Sequence, residues 1–244
     1  MKVGIIGAGN IGATLARKLA AQGHEVKIAN SKGPASLADL SRNVGATAVP
    51  KEDAVADVEV VILSIPFGSY PNLSKIFQNV PEDVIVVDTS NYYPFRDGSI
   101  PEVDAGKPES VWVSDHIKHP IVKAWNAVLA ATLSERGKQS GDKDRIAIPV
   151  AGNDPKAKSV VMNLVEETGF DPVDSGELVS SWRQQPGTPA YCTELTAEQL
   201  KAALEAADRS RAASIRDALI KQFMEAGAPV SHDDMVARNR AATT

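Results

Sequence analysis

The first half of the chain alternates short apolar runs with segments whose apolar residues recur at helical intervals. Continuous apolar runs without alternation are typical of strands that helices cover on both faces. We predict strands at residues 2–6, 25–30, 46–49, 58–66, 83–90, 121–126 and 145–152, and helices at 10–23, 34–45, 68–80, 154–169 and 195–227. This order indicates an α/β fold with a doubly wound parallel sheet.

The carboxyl-terminal part of the chain is mainly helical in pattern. Thr196 and Gln199 have the spacing of a capping box at the start of the last predicted helix. Apolar residues then recur at helical intervals, at Ile215, Leu219 and Phe223. We interpret them as core or dimer interface. We predict a nucleotide-binding domain at 1–136 and a smaller carboxyl-terminal domain at 137–244, with a polar tail from 228 that is partly unstructured.

Composition and charge exclude several classes of protein. Hydrophobic residues make up 43% and charged residues 23% of the 244 residues, as in ordinary globular proteins. No apolar run approaches the ~20 residues that cross a bilayer, so we expect no membrane association. A net charge of -5 with dispersed basic residues argues against nucleic-acid binding. The amino terminus does not resemble a signal peptide, and we expect a cytoplasmic protein.

A glycine-rich turn follows the first predicted strand. Gly7, Gly9 and Gly12 have the spacing G-x-G-x-x-G, and the first helix begins within this motif. In such turns the first glycine permits the tight bend, the second lets the backbone approach a pyrophosphate, and the third lets helix and strand pack closely. The pyrophosphate then lies at the positive end of the helix. The motif therefore predicts a dinucleotide site.

The residues after the second strand indicate which dinucleotide is bound. An NAD enzyme usually places a carboxylate here, which binds the ribose hydroxyls and would repel the 2′-phosphate of NADP. This chain has Asn30, Ser31 and Lys32 instead, followed by Gly33. Their amide, hydroxyl and ammonium groups suit a phosphate, so we predict NADP(H). The alternative is an ordinary polar turn in which Lys32 points into solvent.

Residues that follow later strands are candidates for holding the nicotinamide ring, because ligands lie across the carboxyl ends of the strands in this fold. Ile65, Pro66 and Phe67 follow the fourth strand, and we expect their apolar groups to pack on the ring. Ser64 and Asn126 carry polar groups that are expected to hydrogen-bond its carboxamide. A structural turn is the alternative explanation for Pro66 and Phe67.

A proton donor beside the nicotinamide is harder to identify. Reduction of a carbonyl group needs one, usually a histidine, lysine or tyrosine. His116, His119 and Lys123 are candidates, although each is more simply explained as a packed or solvated side chain. The catalytic residues therefore stay unknown. An acceptor that is itself a hydride carrier needs no strong acid, and we expect no metal site.

Several motifs in a fixed order resemble one family. They are "GIIGAGNIGATLARKLAAQGHEV", "NSKGP", "LSIPF", "VVDTSNYYP", "IVKAWN", "VAGND", "ETGFDPVDSG" and "RQQPGTPAY". This combination resembles the NADP oxidoreductases that depend on the deazaflavin coenzyme F420. The resemblance implies a Rossmann domain, a smaller second domain, a homodimer, and a cleft in which hydride passes between nicotinamide and a flavin-like partner.

The resemblance also implies roles for individual residues. The pyrophosphate would be held by Gly7, Gly9, Asn10, Ile11 and Gly12. The 2′-phosphate would be held by Asn30, Ser31 and Lys32. The nicotinamide would be surrounded by Ser64, Ile65, Pro66, Ala124 and Asn126. Family members often carry arginine at the phosphate turn, so lysine, a single point charge, implies a looser NADP preference. The resemblance also places Arg183 in a loop near the acceptor, where it would bind an acidic group; a rigid surface turn is the alternative.

The leading hypothesis is an NADP(H)-dependent oxidoreductase that transfers hydride between NADPH and a small-molecule acceptor: the deazaflavin F420, a flavin or a related compound. One alternative is a carbonyl or imine reductase of the β-hydroxyacid dehydrogenase or pyrroline-carboxylate reductase type. The lysine and asparagine of the β-hydroxyacid pattern are four residues apart, whereas Lys123 and Asn126 are three apart. Another alternative is a non-catalytic NADP(H) sensor whose helical tail binds a partner protein.

Overall fold

An eight-stranded sheet lies at the centre of the structure, a computed structural model that describes residues 1–227 and 230–243. The strands are β1 (Lys2–Ile6), β2 (Glu25–Ala29), β3 (Thr47–Ala48), β4 (Val60–Leu63), β5 (Ile85–Asp88), β6 (Ile121–Lys123), β7 (Ala147–Gly152) and β8 (Asp171–Asp174). The helices are α1 (Asn10–Ala21), α2 (Ala38–Val44), α3 (Lys51–Ala54), α4 (Ser74–Phe77), α5 (Pro94–Asp97), α6 (Pro101–Asp104), α7 (Glu109–Ile117), α8 (Ala130–Glu135), α9 (Pro155–Glu167), α10 (Ala197–Glu205), α11 (Arg209–Met224) and α12 (His232–Ala242). Three 3₁₀ helices occupy Pro34–Leu37, Phe67–Leu73 and Leu178–Gln184.

The strand order is β3-β2-β1-β4-β5-β6-β7-β8. The first six strands are parallel, and their order is that of a Rossmann dinucleotide-binding sheet. β7 is antiparallel to β6, with Lys123 opposite Ala151, and β8 runs parallel to β7. The predicted α/β fold with a doubly wound, mainly parallel sheet is therefore confirmed.

Apolar side chains cover both faces of the sheet. One core cluster packs α1, α2 and α9 against strands from β1 to β7, with Leu15, Trp125 and Phe170 among its largest buried side chains. The other packs the helices between β4 and β6 on the opposite face, around Phe67 and Trp112. The carboxyl ends of the parallel strands therefore lie along one edge of a sheet that helices cover on both faces.

The predicted boundary between residues 136 and 137 lies in the connection between α8 and β7. The sheet continues across this position, and the first core cluster contains residues from both sides of it. A two-domain division stays a prediction. Within the described ranges, no helix is long and apolar enough to span a membrane.

All seven predicted strands are present, although most are shorter than expected, and one further strand was missed. β8 (Asp171–Asp174) reads "DPVD", and its proline and two acidic residues are unusual in strands. It forms at the end of the sheet beside β7, where Val173 is buried.

The helices differ more from prediction. The segment predicted as a helix at 68–80 contains a 3₁₀ helix and the one-turn α4, because Pro71 interrupts regular hydrogen bonding. The predicted helix at 195–227 divides into α10 and α11. Asp208 caps α11 by accepting a hydrogen bond from the Ser210 backbone N–H at 2.9 Å.

The capping box of Thr196 and Gln199 at the start of α10 is confirmed. The tail predicted as partly unstructured forms α12; residues 228, 229 and 244 lie outside the described residues.

Gly187, in the loop that precedes α10, determines how closely α11 packs on that loop. Its φ is +85°, and a Cβ at this position would lie 2.0 Å from the Ala212 carbonyl oxygen. Gly176 also has a positive φ, +96°, but a Cβ there would approach only the Ser180 side chain, at 3.7 Å. The two positions therefore have the same backbone constraint and differ in crowding.

This difference gives a matched pair of substitutions. Gly176→Ala should cost about 1 kcal/mol of the free energy of unfolding, because alanine is strained at positive φ. Gly187→Ala should cost clearly more, because α11 must also move. Urea unfolding of both variants measures the two costs, and equal destabilisation would contradict the close packing of α11.

Candidate functional site

The glycine turn after β1 is tightly packed on one side and open on the other. A Cβ on Gly7, whose φ is +113°, would lie 2.0 Å from the Ser64 carbonyl oxygen. A Cβ on Gly12 would lie 1.9 Å from the Gly7 carbonyl oxygen. A Cβ on Gly9 would meet no heavy atom within 4 Å. Backbone packing therefore requires Gly7 and Gly12, whereas Gly9 leaves space through which a ligand can approach the backbone.

The amino terminus of α1 faces the same turn. Gly9 is the N-cap residue, and no side chain caps the helix. The first N–H groups of a helix lack partners within it and carry partial positive charge. Exposed Asn10 and half-buried Ile11 belong to this first turn. The residues fit the pyrophosphate of a dinucleotide, and binding by Gly7, Gly9, Asn10, Ile11 and Gly12 stays a prediction.

The turn after β2 is ordered by Asn30. Its side-chain oxygen accepts from the Lys32 backbone N–H at 2.9 Å, and its amide nitrogen donates to Ser36 Oγ at 2.9 Å. Ser36 Oγ in turn donates to the Gly33 carbonyl at 2.7 Å. Ser31 and Lys32 are exposed. The structure thus gives Asn30 a positioning role within the turn; binding of a 2′-phosphate by Asn30, Ser31 and Lys32 stays a prediction. Sequence reasoning missed Ser36, which lies six residues from Asn30.

The residues after β4 lie beside the glycine turn. The Ser64 backbone N–H donates to the Ile6 carbonyl at 2.8 Å, and the Ser64 Cβ lies 3.3 Å from the Cβ position of Gly12. Ile65 is half-buried and Pro66 is exposed. Phe67 is fully buried and stacks on Trp112 with ring centroids 4.8 Å apart, so its ring is part of the core and does not face a ligand.

Asn126 is buried and fully hydrogen-bonded. Its amide nitrogen donates to Asn91 Oδ1 at 3.0 Å and to the Gln184 carbonyl at 2.8 Å, while its side-chain oxygen accepts from Gln184 Nε2 at 3.0 Å. These bonds join the segments that follow β5 and β6 to the end of the 3₁₀ helix Leu178–Gln184. Ala124 is fully buried. Both residues lie at the predicted edge, but their side chains are used within the protein; their contact with nicotinamide stays a prediction.

Comparison with known proteins agrees with this geometry. The sequence model of the family described as NADP oxidoreductase, coenzyme F420-dependent, matches residues 2–92. A hypothetical protein from Sinorhizobium meliloti, SMa0349, is 33% identical, and its structure matches 80% of this chain and 95% of that chain with a TM-score of 0.68. This chain belongs to the F420-dependent NADP oxidoreductase family. It is an NAD(P)-dependent oxidoreductase with a Rossmann nucleotide-binding fold.

Two further relatives of this oxidoreductase differ in how much of their length is matched. YjhV of Escherichia coli (strain K12) is 40% identical over 101 residues, which are 41% of this chain and 74% of YjhV. Metalloreductase STEAP3 of Rattus norvegicus is 27% identical over 180 residues, which are 74% of this chain. The chain spans 35% of the length of STEAP3, so the activity in that name describes a longer protein.

A buried charge cluster lies at the carboxyl ends of β5 and β6. Asp88, the last residue of β5, is fully buried and accepts hydrogen bonds at Oδ1 and Oδ2. Its donors are the Tyr70 hydroxyl at 2.6 Å, the Ser90 backbone N–H at 2.8 Å and hydroxyl at 2.6 Å, the Ser110 hydroxyl at 2.7 Å, and Lys123 Nζ at 3.3 Å. Burial alone would raise the pKa of Asp88, but Lys123 and these hydrogen bonds lower it, so the carboxylate stays charged.

Glu109, the first residue of α7, completes this cluster. Its Oε2 lies 3.7 Å from Lys123 Nζ and has no hydrogen-bond partner. Burial raises the pKa of Glu109 to about 7, a shift that the Lys123 charge only partly offsets. Lys123 therefore has one firmly charged partner, Asp88, and a second that titrates near neutrality. Sequence reasoning missed Glu109 because it lies in α7, a helix that was not predicted.

None of the proton-donor candidates from the sequence lies exposed at the carboxyl edge. Lys123 is fully buried and bonded to Asp88 and to the Ser90 carbonyl. His119 is 5% exposed and contacts the Pro81 and Pro120 carbonyls, which precede β5 and β6 at the opposite edge of the sheet. His116 packs on Trp112 with ring centroids 3.7 Å apart.

Backbone strain is concentrated near Asn126. Trp125, Cys192 and Glu194 have φ values of 56°, 55° and 50°, although none is glycine. The Cys192 backbone N–H donates to the Ala127 carbonyl at 3.0 Å, so the strained segments are in contact. Left-handed backbone at bulky residues is uncommon and clusters at functional sites. This strain agrees with a functional site at the ends of β5 and β6.

The Glu109 titration predicts how stability varies with pH. The folded protein holds this proton more tightly than the unfolded chain, whose pKa is the ordinary 4.5. The resulting stabilisation is fully present below pH 4.5 and is lost as pH rises through about 7. Glu109→Gln cannot titrate, so its free energy of unfolding relative to the parent protein should rise by about 2 kcal/mol from pH 5.5 to 8.

Urea unfolding at both pH values measures this change. Glu82→Gln, at an exposed position, is the matched control and should follow the parent protein. A Glu109→Gln variant whose stability changes in parallel with that of the parent would show that Glu109 does not hold its proton at neutral pH.

Proposed function

We propose that this oxidoreductase uses NADPH to reduce a deazaflavin, a flavin or a related ring that accepts hydride. The observation that carries this proposal is that none of the three candidates from the sequence, His116, His119 and Lys123, lies exposed at the carboxyl edge. Lys123 and Glu109 are buried in the Asp88 cluster, and His119 lies at the opposite edge. Such a site suits an acceptor whose protonation does not need a strong acid from the protein.

The chemistry balances without a further reactant. Bound NADPH supplies a hydride, which carries two electrons, and a proton from solvent completes reduction of the acceptor ring. The protein holds both rings against the carboxyl edge, which Asn126 and the Asp88 cluster keep rigid. Orientation of two bound reactants is itself a large contribution to rate, because reaction between them becomes effectively unimolecular.

The phosphate turn supports NADPH as the reduced cofactor. Asn30 and Ser36 fix the turn, exposed Ser31 and Lys32 supply a hydroxyl and a positive charge, and no acidic residue occurs between 27 and 38. A 2′-phosphate therefore meets donors and no like charge. Lysine provides a single point charge, so we expect a moderate NADPH preference.

Reversing the charge at residue 32 tests this preference. Lys32→Asp should weaken NADPH binding at least tenfold and NADH binding by less than twofold, because only NADPH carries the 2′-phosphate. Lys143→Asp, in the exposed loop before β7, makes the same change in net charge and should alter neither affinity. Titration by nicotinamide fluorescence gives all values, and equal weakening of both cofactors would contradict the proposed phosphate contact.

A turnover screen tests the acceptor. NADPH oxidation is followed with deazaflavin, riboflavin, a soluble quinone, ferric chelates and small cyclic imines and ketones. We expect turnover with at least one acceptor of the first three kinds. Reduction of a ketone or imine alone would favour the carbonyl or imine reductase alternative, and tight NADPH binding without any turnover would favour the sensor.

A further inference from the structure

A small cavity lies between the carboxyl edge of the sheet and the two last helices. It has a volume of about 180 Å³. Its walls include Tyr93, Leu129 and Tyr191 on the sheet side and Phe223 and Met235 on the helix side. An apolar cavity of about 150 Å³ holds one benzene ring, so this one has room for a single six-membered ring.

The cavity is close to the place where nicotinamide binds in this fold. Tyr93 follows Asn91 by two residues, and Leu129 follows Asn126 by three. Asn91 Nδ2 donates to the Asn126 carbonyl at 2.9 Å, which ties the ends of β5 and β6 together. At roughly 3.5 Å per residue, Tyr93 lies within about 7 Å of Asn91 and Leu129 within about 10 Å of Asn126. A ring in the cavity is therefore close to Asn126, which is predicted to lie beside the nicotinamide.

A pair of tyrosines provides hydroxyl groups in the cavity wall. The hydroxyls of Tyr93 and Tyr191 are 2.6 Å apart and form a hydrogen bond. When Tyr191 donates to Tyr93, the Tyr93 proton is free for a ligand. Burial raises the pKa of both tyrosines, so both remain protonated donors at neutral pH.

Arg216 places a positive charge in the same wall. Its guanidinium lies 5.4 Å from the Tyr92 ring centroid, and its Nε donates to Asp217. A carbonyl oxygen that gains electrons becomes negative, and fixed donors and cations stabilise such a charge. The remaining walls are mainly aliphatic and aromatic. The cavity thus combines room for one apolar ring with hydroxyl donors and a cation for an oxygen on that ring.

We infer that this cavity is the acceptor site and that it takes a carbonyl-bearing six-membered ring, such as the head group of a para-quinone or the terminal ring of a flavin. The inference rests on the proposed function, because it identifies the acceptor of that reaction. NADPH, the quinone and one proton give NADP⁺ and the hydroquinone, so atoms and electrons balance. Tyr93 holds the carbonyl oxygen.

Binding without turnover tests the site. Dimethyl-para-benzoquinone is titrated by calorimetry against the protein saturated with NADP⁺, which cannot donate hydride. Met235→Trp fills the cavity and should weaken binding at least tenfold. Met224→Trp makes the same substitution at a residue that is 71% exposed on α11 outside the cavity, and binding should change less than twofold. Tyr93→Phe should weaken it about fivefold, or about 1 kcal/mol.

The outcomes separate this inference from the proposed function. If an acceptor is reduced by NADPH but Met235→Trp and Tyr93→Phe bind it like the parent protein, the cavity assignment is wrong and the proposed function stands. If no acceptor is reduced, the proposed function is wrong. Riboflavin and deazaflavin are titrated in the same way, and a tenfold loss for either with Met235→Trp would show that a flavin-type ring enters the cavity.

Discussion

The buried Asp88 carboxylate joins the parts of the protein that form the candidate site. It lies at the end of β5 and accepts hydrogen bonds from the 3₁₀ helix before α4, from its own strand end and from α7, while Lys123 of β6 lies beside it. Removing two opposite charges from water is costly, and the hydrogen bonds to Asp88 and from Lys123 to the Ser90 carbonyl offset part of that cost. The ends of β5 and β6 therefore cannot move independently.

This constraint explains why the two halves of the edge differ. At β1 and β2 the backbone is open and the exposed groups of Gly9, Ser31 and Lys32 can meet phosphates directly. At β5 and β6 the polar side chains bond to one another, and Asn126 has no free hydrogen-bonding group on its amide nitrogen. The first half is suited to binding a charged ligand, and the second to holding neutral rings in a fixed orientation.

The cofactor half of the site could be predicted from sequence because its signals are local. The glycine turn, the strand before it and the residues after β2 all lie within about thirty residues of one another. Fold class followed from the same alternation of apolar runs. Glu109 and Phe67 could not be interpreted correctly from sequence, because their environments are made by residues distant in the chain. Burial raises the pKa of Glu109, and Phe67 stacks on Trp112 in the core. Tyr93 and Tyr191 are 98 residues apart, and no spacing in the sequence relates them.

The short segment from Tyr191 to Glu194 connects the cavity to the last helix. Burial would raise the pKa of Glu194, but hydrogen bonds from Thr132 at 2.6 Å and His232 at 2.7 Å, with the charge of Arg136, lower it. The charged carboxylate thus anchors α12, while Tyr191, three residues earlier, forms the opposite wall of the cavity. Cys192 and Glu194, both in this segment, have positive φ values. Backbone in that region has few alternative conformations at residues other than glycine. A displacement of α12 must therefore either be accommodated by movements of the α12 side chains or displace Tyr191 and its hydrogen bond with Tyr93.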